Sequence, residues 1–263
     1  SSQGFDGLKR TIFVDDKPIG KNPRSTPSTY VGLFGPIRQL FARVPEARLR
    51  GYKANRFSFN VKGGRCEECA GQGRIKLEMS FLPNSYVTCE TCNGKRFNRQ
   101  TLQVSWNGHN IHEVLQLSVN EALKLFEHVP SIRRTLELME EVGLGYLSLG
   151  QSSTTLSGGE AQRIKLVSEL KGKKRDDTVV ILDEPTTGLH LADVPRLIRI
   201  LHRLVDRGAT VIVIEHHSDV IAEADWVIDM GPGPGIEGGN VVYQGKVSGL
   251  LRSKKSLTGQ AMK

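Results

Sequence analysis

The chain has 263 residues, 38% hydrophobic and 24% charged, a soluble globular mixture with room for one or two domains and a real core. Four cysteines are few for a disulfide scaffold, no apolar run reaches the ~18–20 residues of a membrane span, and Ser1–Arg10 lacks the apolar stretch of a secretory signal. The formal charge of +8 is uneven: residues 1–99 hold 18 basic and 8 acidic side chains, net +10, and residues 100–263 hold 18 and 20, net −2, so the first part is suited to a polyanion, although an ordinary solvated basic surface would look the same.

Thr11–Val14 reads as the start of a strand, and residues 17–29 as a Pro- and Ser-rich loop. From Tyr30 to Ala42 the apolar spacing is helical after Pro36, a good first-turn residue. A basic stretch, residues 48–65, leads to the first cysteines. Residues 75–81 (IKLEMSF) and 102–106 (LQVSW) alternate as strands do, and Asn107-Gly108 signals a turn. Ser118 with Glu121 has capping-box spacing for a helix to about His128, and a second helix follows Pro130 and ends near Gly143. Ser157 with Glu160 repeats the box for a helix to about Lys171, followed by the charged loop KGKKRDD. TVVIL (178–182) and ATVIVIE (209–215) are apolar runs expected of buried parallel strands. A long amphipathic helix is expected over 191–206 and a short one from Ser218. WVID (226–229) and NVVYQG (240–245) read as further strands around the loop GPGPGIEGG. Alternating strands and helices indicate an α/β fold with a largely parallel sheet.

All four cysteines fall in one pattern, Cys66-x2-Cys69 and Cys89-x2-Cys92 with 19 residues between the pairs. That is the spacing of a structural zinc site, one Zn2+ per chain, with no open position for metal catalysis; two disulfides or free thiols are the alternatives. Such a metal would hold a small hairpin (62–99) whose own core is too small to fold alone. Lys62, Arg65, Arg74, Lys76, Lys95, Arg96 and Arg99 surround it and suit contact with a phosphate backbone, or plain solvation.

VVILDE (179–184) places two carboxylates at the end of an apolar strand, a Walker B pattern in which Asp183 helps hold Mg2+ and Glu184 orients or deprotonates water. LSGGE (156–160) puts Ser157, Gly158, Gly159 and Glu160 at a helix N-terminus that can approach a phosphate. A further strand ends in Glu215-His216, where the imidazole can hydrogen-bond a γ-phosphate.

LSGGEAQR, ILDEPTTGLH and VIEH in this order resemble an ABC-type ATPase, and with the upstream CxxC…CxxC hairpin, TYVGLFGPIRQLFA and GYKANRFSFNVKGGRCEECAGQGRIKLEM the chain is similar to the UvrA family of bacterial nucleotide excision repair. The resemblance covers nearly the whole chain, matches the family's second nucleotide-binding half, and implies an incomplete ABC-type P-loop NTPase fold with an inserted α+β signature domain carrying a four-cysteine zinc hairpin. On it, 1–29 is the Q-loop segment of the ATPase domain, 30–145 the signature and insertion domain, and 146–263 the remainder of the ATPase domain. Implied cofactors and partners are ATP and Mg2+ in the complete protein, distorted double-stranded DNA, a UvrA-like homodimer and a UvrB-like partner contacted outside this chain, in a cytoplasmic, membrane-free setting. Arg38, Arg56, Lys62, Arg65, Arg74, Lys76, Lys95 and Arg96 are the candidates for DNA contact.

Two departures stand out. No Gly-Lys pair satisfies G-x4-G-K-[ST]: Lys21, Lys95, Lys173 and Lys246 are followed by Asn, Arg, Lys and Val, so the phosphate-cradling loop is absent. The expectation is a C-terminal portion of a longer protein, inactive as an ATPase by itself. The family's Asp-Gln-Ser-Pro Q-loop reads Asp15-Asp16-Lys17-Pro18, which puts the carboxylate of Asp16 where an amide bridges Mg2+ and water. A non-catalytic zinc and DNA-binding module, or a UvrA-like drug-resistance protein, remains as an alternative.

Overall fold

A computed structural model describes residues 8–20, 22–77, 85–172, 177–233 and 238–263. The strands are β1 (Arg10–Val14), β2 (Arg74–Leu77), β3 (Ser85–Thr88), β4 (Ser105–Trp106), β5 (His109–Asn110), β6 (Thr178–Asp183), β7 (Thr210–Ile214), β8 (Val227–Gly231) and β9 (Asn240–Gly245). The chain divides into two compact units, Ser1–Asp15 with Lys174–Lys263, and Asp16–Lys173. The end of the IKLEMSF strand, most of the charged KGKKRDD loop and the middle of the GPGPGIEGG loop lie outside the described residues.

In the first unit β6 lies between β1 and β7, parallel to both, with Phe13 opposite Ile181 and Ile181 opposite Ile212. Val14, Val180 and Leu182 alternate with these residues and are buried. The helix Val194–Asp206 packs against β7 and buries Leu197, Ile200, Leu201 and Leu204, so its apolar stripe faces inward as its 3.6-residue spacing dictates. A 3-10 turn, Leu191–Asp193, precedes it and accounts for the earlier start read from the sequence.

Strand β7 departs from the expectation of full burial: Ile212 and Ile214 are half exposed, and Phe13 on β1 is 68% exposed. The run TVIVI is apolar on both faces, but the described residues cover one of them in part and leave the other exposed. A continuous apolar run reports what a strand can bury, not what covers it. Strands β8 and β9 form an antiparallel hairpin. Asp229 within it accepts hydrogen bonds from the Ser256 hydroxyl at 2.6 Å and the Thr258 hydroxyl at 2.9 Å, which anchor the helix Leu257–Ala261.

The second unit is built on helices. Phe34–Ala42, Pro130–Glu141 and Gly158–Lys171 bury Phe34, Ile37, Phe41, Leu136, Met139, Ile164 and Val167. Phe59 links this core to the cysteine hairpin, stacked on Phe34 at 5.0 Å and edge-on to Phe97 at 6.0 Å. The boxes expected at Ser118 and Ser157 form, each side chain receiving the backbone N–H of a glutamate three residues on. Asn110 with Glu113 forms another. The strand expected over 102–106 is shorter than its alternation suggests: Leu102 closes a helical turn, Arg99–Leu102, because Asn98 accepts the Thr101 N–H as a cap. Within that stretch Ser105–Trp106 pairs, across Asn107 (φ 47°) and Gly108 (φ 81°), the left-handed pair a two-residue hairpin requires.

Candidate functional site

Cys66 and Cys69 lie in one knuckle, Cys89 and Cys92 in the other, and all four are buried and free of disulfides. Their sulfurs lie within 4.8 Å of one another, with Cys66 to Cys89 at 3.9 Å and Cys69 to Cys92 at 3.7 Å. Four thiolates at ~2.3 Å from a tetrahedral ion stand ~3.8 Å apart, so the cluster already has the shape of a four-thiolate metal site. Gly73 donates its N–H to Cys69 Sγ at 3.2 Å, the hydrogen bond that orients a thiolate ligand. Gly71, at φ 79°, permits the first knuckle: a Cβ there would lie 1.8 Å from the Phe59 carbonyl oxygen. Burial pushes the Cys66 thiol up and the Cys92 thiol to about 12, so a cation is needed to hold these sulfurs ionised.

In the first unit the parallel register sets Asp183 opposite Ile214. Asp183 and Glu184 at the end of β6 and His216 just past the end of β7 therefore lie at the same C-terminal edge of the sheet, the usual place for a ligand on a parallel sheet. Glu184 has a left-handed backbone (φ 42°), and its N–H is held by the Ile214 carbonyl at 2.9 Å. Its carboxylate accepts the Thr187 hydroxyl at 3.3 Å. The His216 side chain is 78% exposed, whereas that of Glu215 is 2% exposed. Sequence reasoning passes over Glu215, because a charged residue at a strand end reads as solvent-facing.

In the second unit Ser157 caps the signature helix, and Gly158 lies against Asp16: a Cβ on Gly158 would come within 2.9 Å of the Asp16 Cβ. Gly159 follows in the first turn. The Glu160 carboxylate is already engaged, taking the Ser157 N–H at 2.7 Å and the Tyr146 hydroxyl at 2.7 Å. Tyr146 is a second residue that the sequence does not flag; burial and this bond to an acid raise its phenol above the ordinary value.

No family model matches the chain. UvrABC system protein A of Xanthomonas axonopodis pv. citri is 55% identical over 258 residues, 98% of this chain and 26% of that protein. The same protein of Aquifex aeolicus is 55% identical over 261 residues, 99% of this chain and 28% of that protein. The crystal structure of UvrA2 from Deinococcus radiodurans matches with a TM-score of 0.91 at 52% identity, covering 98% of this chain and 32% of that one. The chain is similar to UvrA over nearly its whole length. Its fold is the ABC ATPase fold of the matched UvrA2 region, and it spans about a quarter of the length of the curated relatives.

The cations singled out for DNA contact, on the hairpin and on the segments before it, are in two states. Arg38 stacks over Phe34 at 5.4 Å, and Arg96 over Phe59 at 5.2 Å. Arg56 sits 4.4 Å over Tyr52 and donates to Thr101 at 3.0 Å and Gln100 at 2.9 Å. Arg65 pairs with Glu67 at 3.1 Å, and this hydrogen bond holds the Glu67 carboxyl below its ordinary value. Lys62, Arg74, Lys76 and Lys95 are exposed. Beside the hairpin a polar cleft is lined by Gln72, Arg74, Arg96, His112, Gln151 and Thr155, with no carboxylate among its described lining residues. Burial and the neighbouring Arg74 lower the Arg96 guanidinium, and burial with Lys95 lowers the His112 imidazole. No described helix is long and apolar enough to cross a membrane.

Proposed function

We propose that this chain forms part of a UvrA-type DNA-damage-recognition ATPase of nucleotide excision repair, acting in the cytoplasm and induced with the SOS response. The observation that carries the reading is the UvrA likeness over 98% of the chain, joined to the placement of Asp183, Glu184 and His216 at one edge of the sheet.

Mg-ATP supplies the electrophilic γ-phosphorus and the charge that must be stabilised as the bond to it breaks. Glu184 orients the attacking water and accepts its proton. His216, exposed at the strand end, donates to a γ-phosphate oxygen, and Asp183 holds the Mg2+ through water. The first-turn N–H groups of Gly158 and Gly159, with the Ser157 hydroxyl beside them, face a nucleotide held by another ATPase domain, while Glu160, which takes the Ser157 N–H, closes the cap beneath them. Asp16, beside Gly158, links that signature to the preceding loop. Cys66, Cys69, Cys89 and Cys92 hold one structural Zn2+. Lys62, Arg74, Lys76 and Lys95, with Arg38, Arg56, Arg65 and Arg96 behind them, meet DNA phosphates, so distorted duplex is read by shape rather than by base. Homodimerisation and a UvrB-like partner belong to the full-length protein.

The test is metal content, ATP binding and turnover on two samples, this chain alone and a full-length UvrA-type protein bearing it. The expected result is one zinc in both, with Glu184-dependent turnover only in the full-length protein. Turnover by the chain alone that vanishes in Glu184→Gln would show that a phosphate loop has been overlooked. The missing G-x4-G-K-[ST] pattern favours a second reading, a non-catalytic zinc and DNA-binding module; equal turnover by full-length wild type and Glu184→Gln would select it.

A further inference from the structure

Asp183, Glu184 and His216 sit on two different strand ends, so their geometry depends on what ties those ends together. Glu215 does so with both carboxylate oxygens. Its Oε1 accepts the Thr186 N–H at 2.9 Å and also the Thr186 hydroxyl. Its Oε2 accepts the N–H of His216 at 2.7 Å and that of His217 at 3.0 Å. One oxygen therefore serves the Glu184-Pro185-Thr186 turn, and the other serves the histidine backbone.

The donors are uncharged N–H and O–H groups, and the His216 Nδ1 atom stands farther off, 3.9 Å from Oε2. A buried carboxylate with its oxygens aimed at fixed backbone donors is a rigid anchor rather than a solvated surface acid. Two neighbours stiffen it. Glu184 N–H bonds to the Ile214 carbonyl, one residue before Glu215. The His217 imidazole caps the helix Ser218–Ala222 by accepting the Asp219 N–H at 3.3 Å. The left-handed backbone of Glu184 needs such over-determination to persist.

We propose that Glu215 is a positioning residue, a two-sided latch that holds the Glu184 turn and the His216 backbone in one catalytic geometry through Thr186. This rests on the ATPase reading above. It assigns Glu215 no contact with nucleotide. Its effect falls on the rate of the chemical step rather than on ATP affinity.

The experiment uses the full-length UvrA-type protein bearing this segment. Glu215→Gln keeps the size of the side chain and one acceptor oxygen, but turns an NH2 toward the N–H groups it now accepts. Thr186→Val removes the hydroxyl donor, and Thr186→Ser keeps it. Glu215→Gln is expected to lower kcat about 10- to 100-fold, as loss of an orienting partner does, with KM for ATP and zinc content unchanged. Thr186→Val lowers kcat in the same direction, Thr186→Ser does not, and the double variant is no worse than Glu215→Gln alone, since one latch can be broken once. Wild-type kcat in Glu215→Gln, or additive losses in the double variant, overturns the proposal. Amide exchange at Thr186, His216 and His217 is followed in the same variants. Faster exchange confined to these amides supports the latch even if the protein shows no turnover, an outcome that would sink the ATPase reading instead; unchanged exchange in Glu215→Gln overturns the latch on its own.

Discussion

In the Asp16–Lys173 unit, Phe41, Phe57, Phe59, Phe97 and Phe126 are all fully buried, and the cysteine cluster forms a small core of its own beside them. In the unit of β1, β6 and β7, apolar side chains of the same kind stand in water: Phe13, Ile212 and Ile214 on the sheet, and Ile228, Met230 and Val241 on the β8–β9 hairpin. The first arrangement gains stability side chain by side chain from packing. The second places its chemistry through strand register and one buried carboxylate, while an apolar face contributes nothing to the stability of the chain as it stands. Binding geometry and packing stability are thus carried by different parts of the molecule.

The largest effect that can test this contrast is loss of the metal proposed for the four cysteines. Structural zinc bound by thiolates contributes roughly 10–16 kcal/mol of binding free energy, far more than a hairpin of this size can replace. Cys69→Ser is expected to abolish zinc binding and expose the amides of β2 and β3 to exchange, while β6 and β7 keep their protection. Equal loss of protection in both regions would mean that the two units unfold as one.

Truncation of apolar residues should separate the units next. Phe59→Ala removes a ring packed between Phe34 and Phe97 and should cost about 3–5 kcal/mol. Ile214→Ala removes an exposed side chain and should change stability by no more than ~0.5 kcal/mol. Urea midpoints of the two variants give the comparison directly. A large loss from Ile214→Ala would show that this face is covered in solution.

Where local rules decide the structure, the sequence is readable. Capping boxes at Ser118 and Ser157, the apolar run of β6 and the CxxC spacing each depend on neighbours a few residues away, and each forms. Leu102 misleads because alternation over five residues fits a strand, while the Asn98 cap that starts a helical turn lies outside that window. The half-exposed face of β7 is not legible because apolar residues do not say whether anything covers them. Glu215 is hidden for the opposite reason: its four donors come from Thr186, His216 and His217, and 29 residues separate it from Thr186. Arg56 and Arg96 read as surface cations in the sequence, whereas Tyr52 and Phe59 lie beneath them in the fold.

The smallest predicted effect is also the most local, and it concerns the same carboxylate. Burial alone would raise the Glu215 carboxyl; the hydrogen bonds from Thr186, His217 and His216 outweigh it and hold the group below its ordinary value of 4.5. A carboxyl depressed on folding stabilises the fold fully above its unfolded value and loses that contribution as pH falls through the folded one. Protection of the Thr186, His216 and His217 amides, corrected for intrinsic exchange, should therefore be flat above the ordinary carboxyl value of 4.5 and decline below it. Glu215→Gln should remove that decline. Release of the proposed zinc in acid would not imitate the result, because the four cysteines lie in the other unit and are followed through β2 and β3. A rise in protection on acidification, absent from Glu215→Gln, would mean that burial wins over the hydrogen bonds, and the carboxylate could not then serve as a fixed anchor.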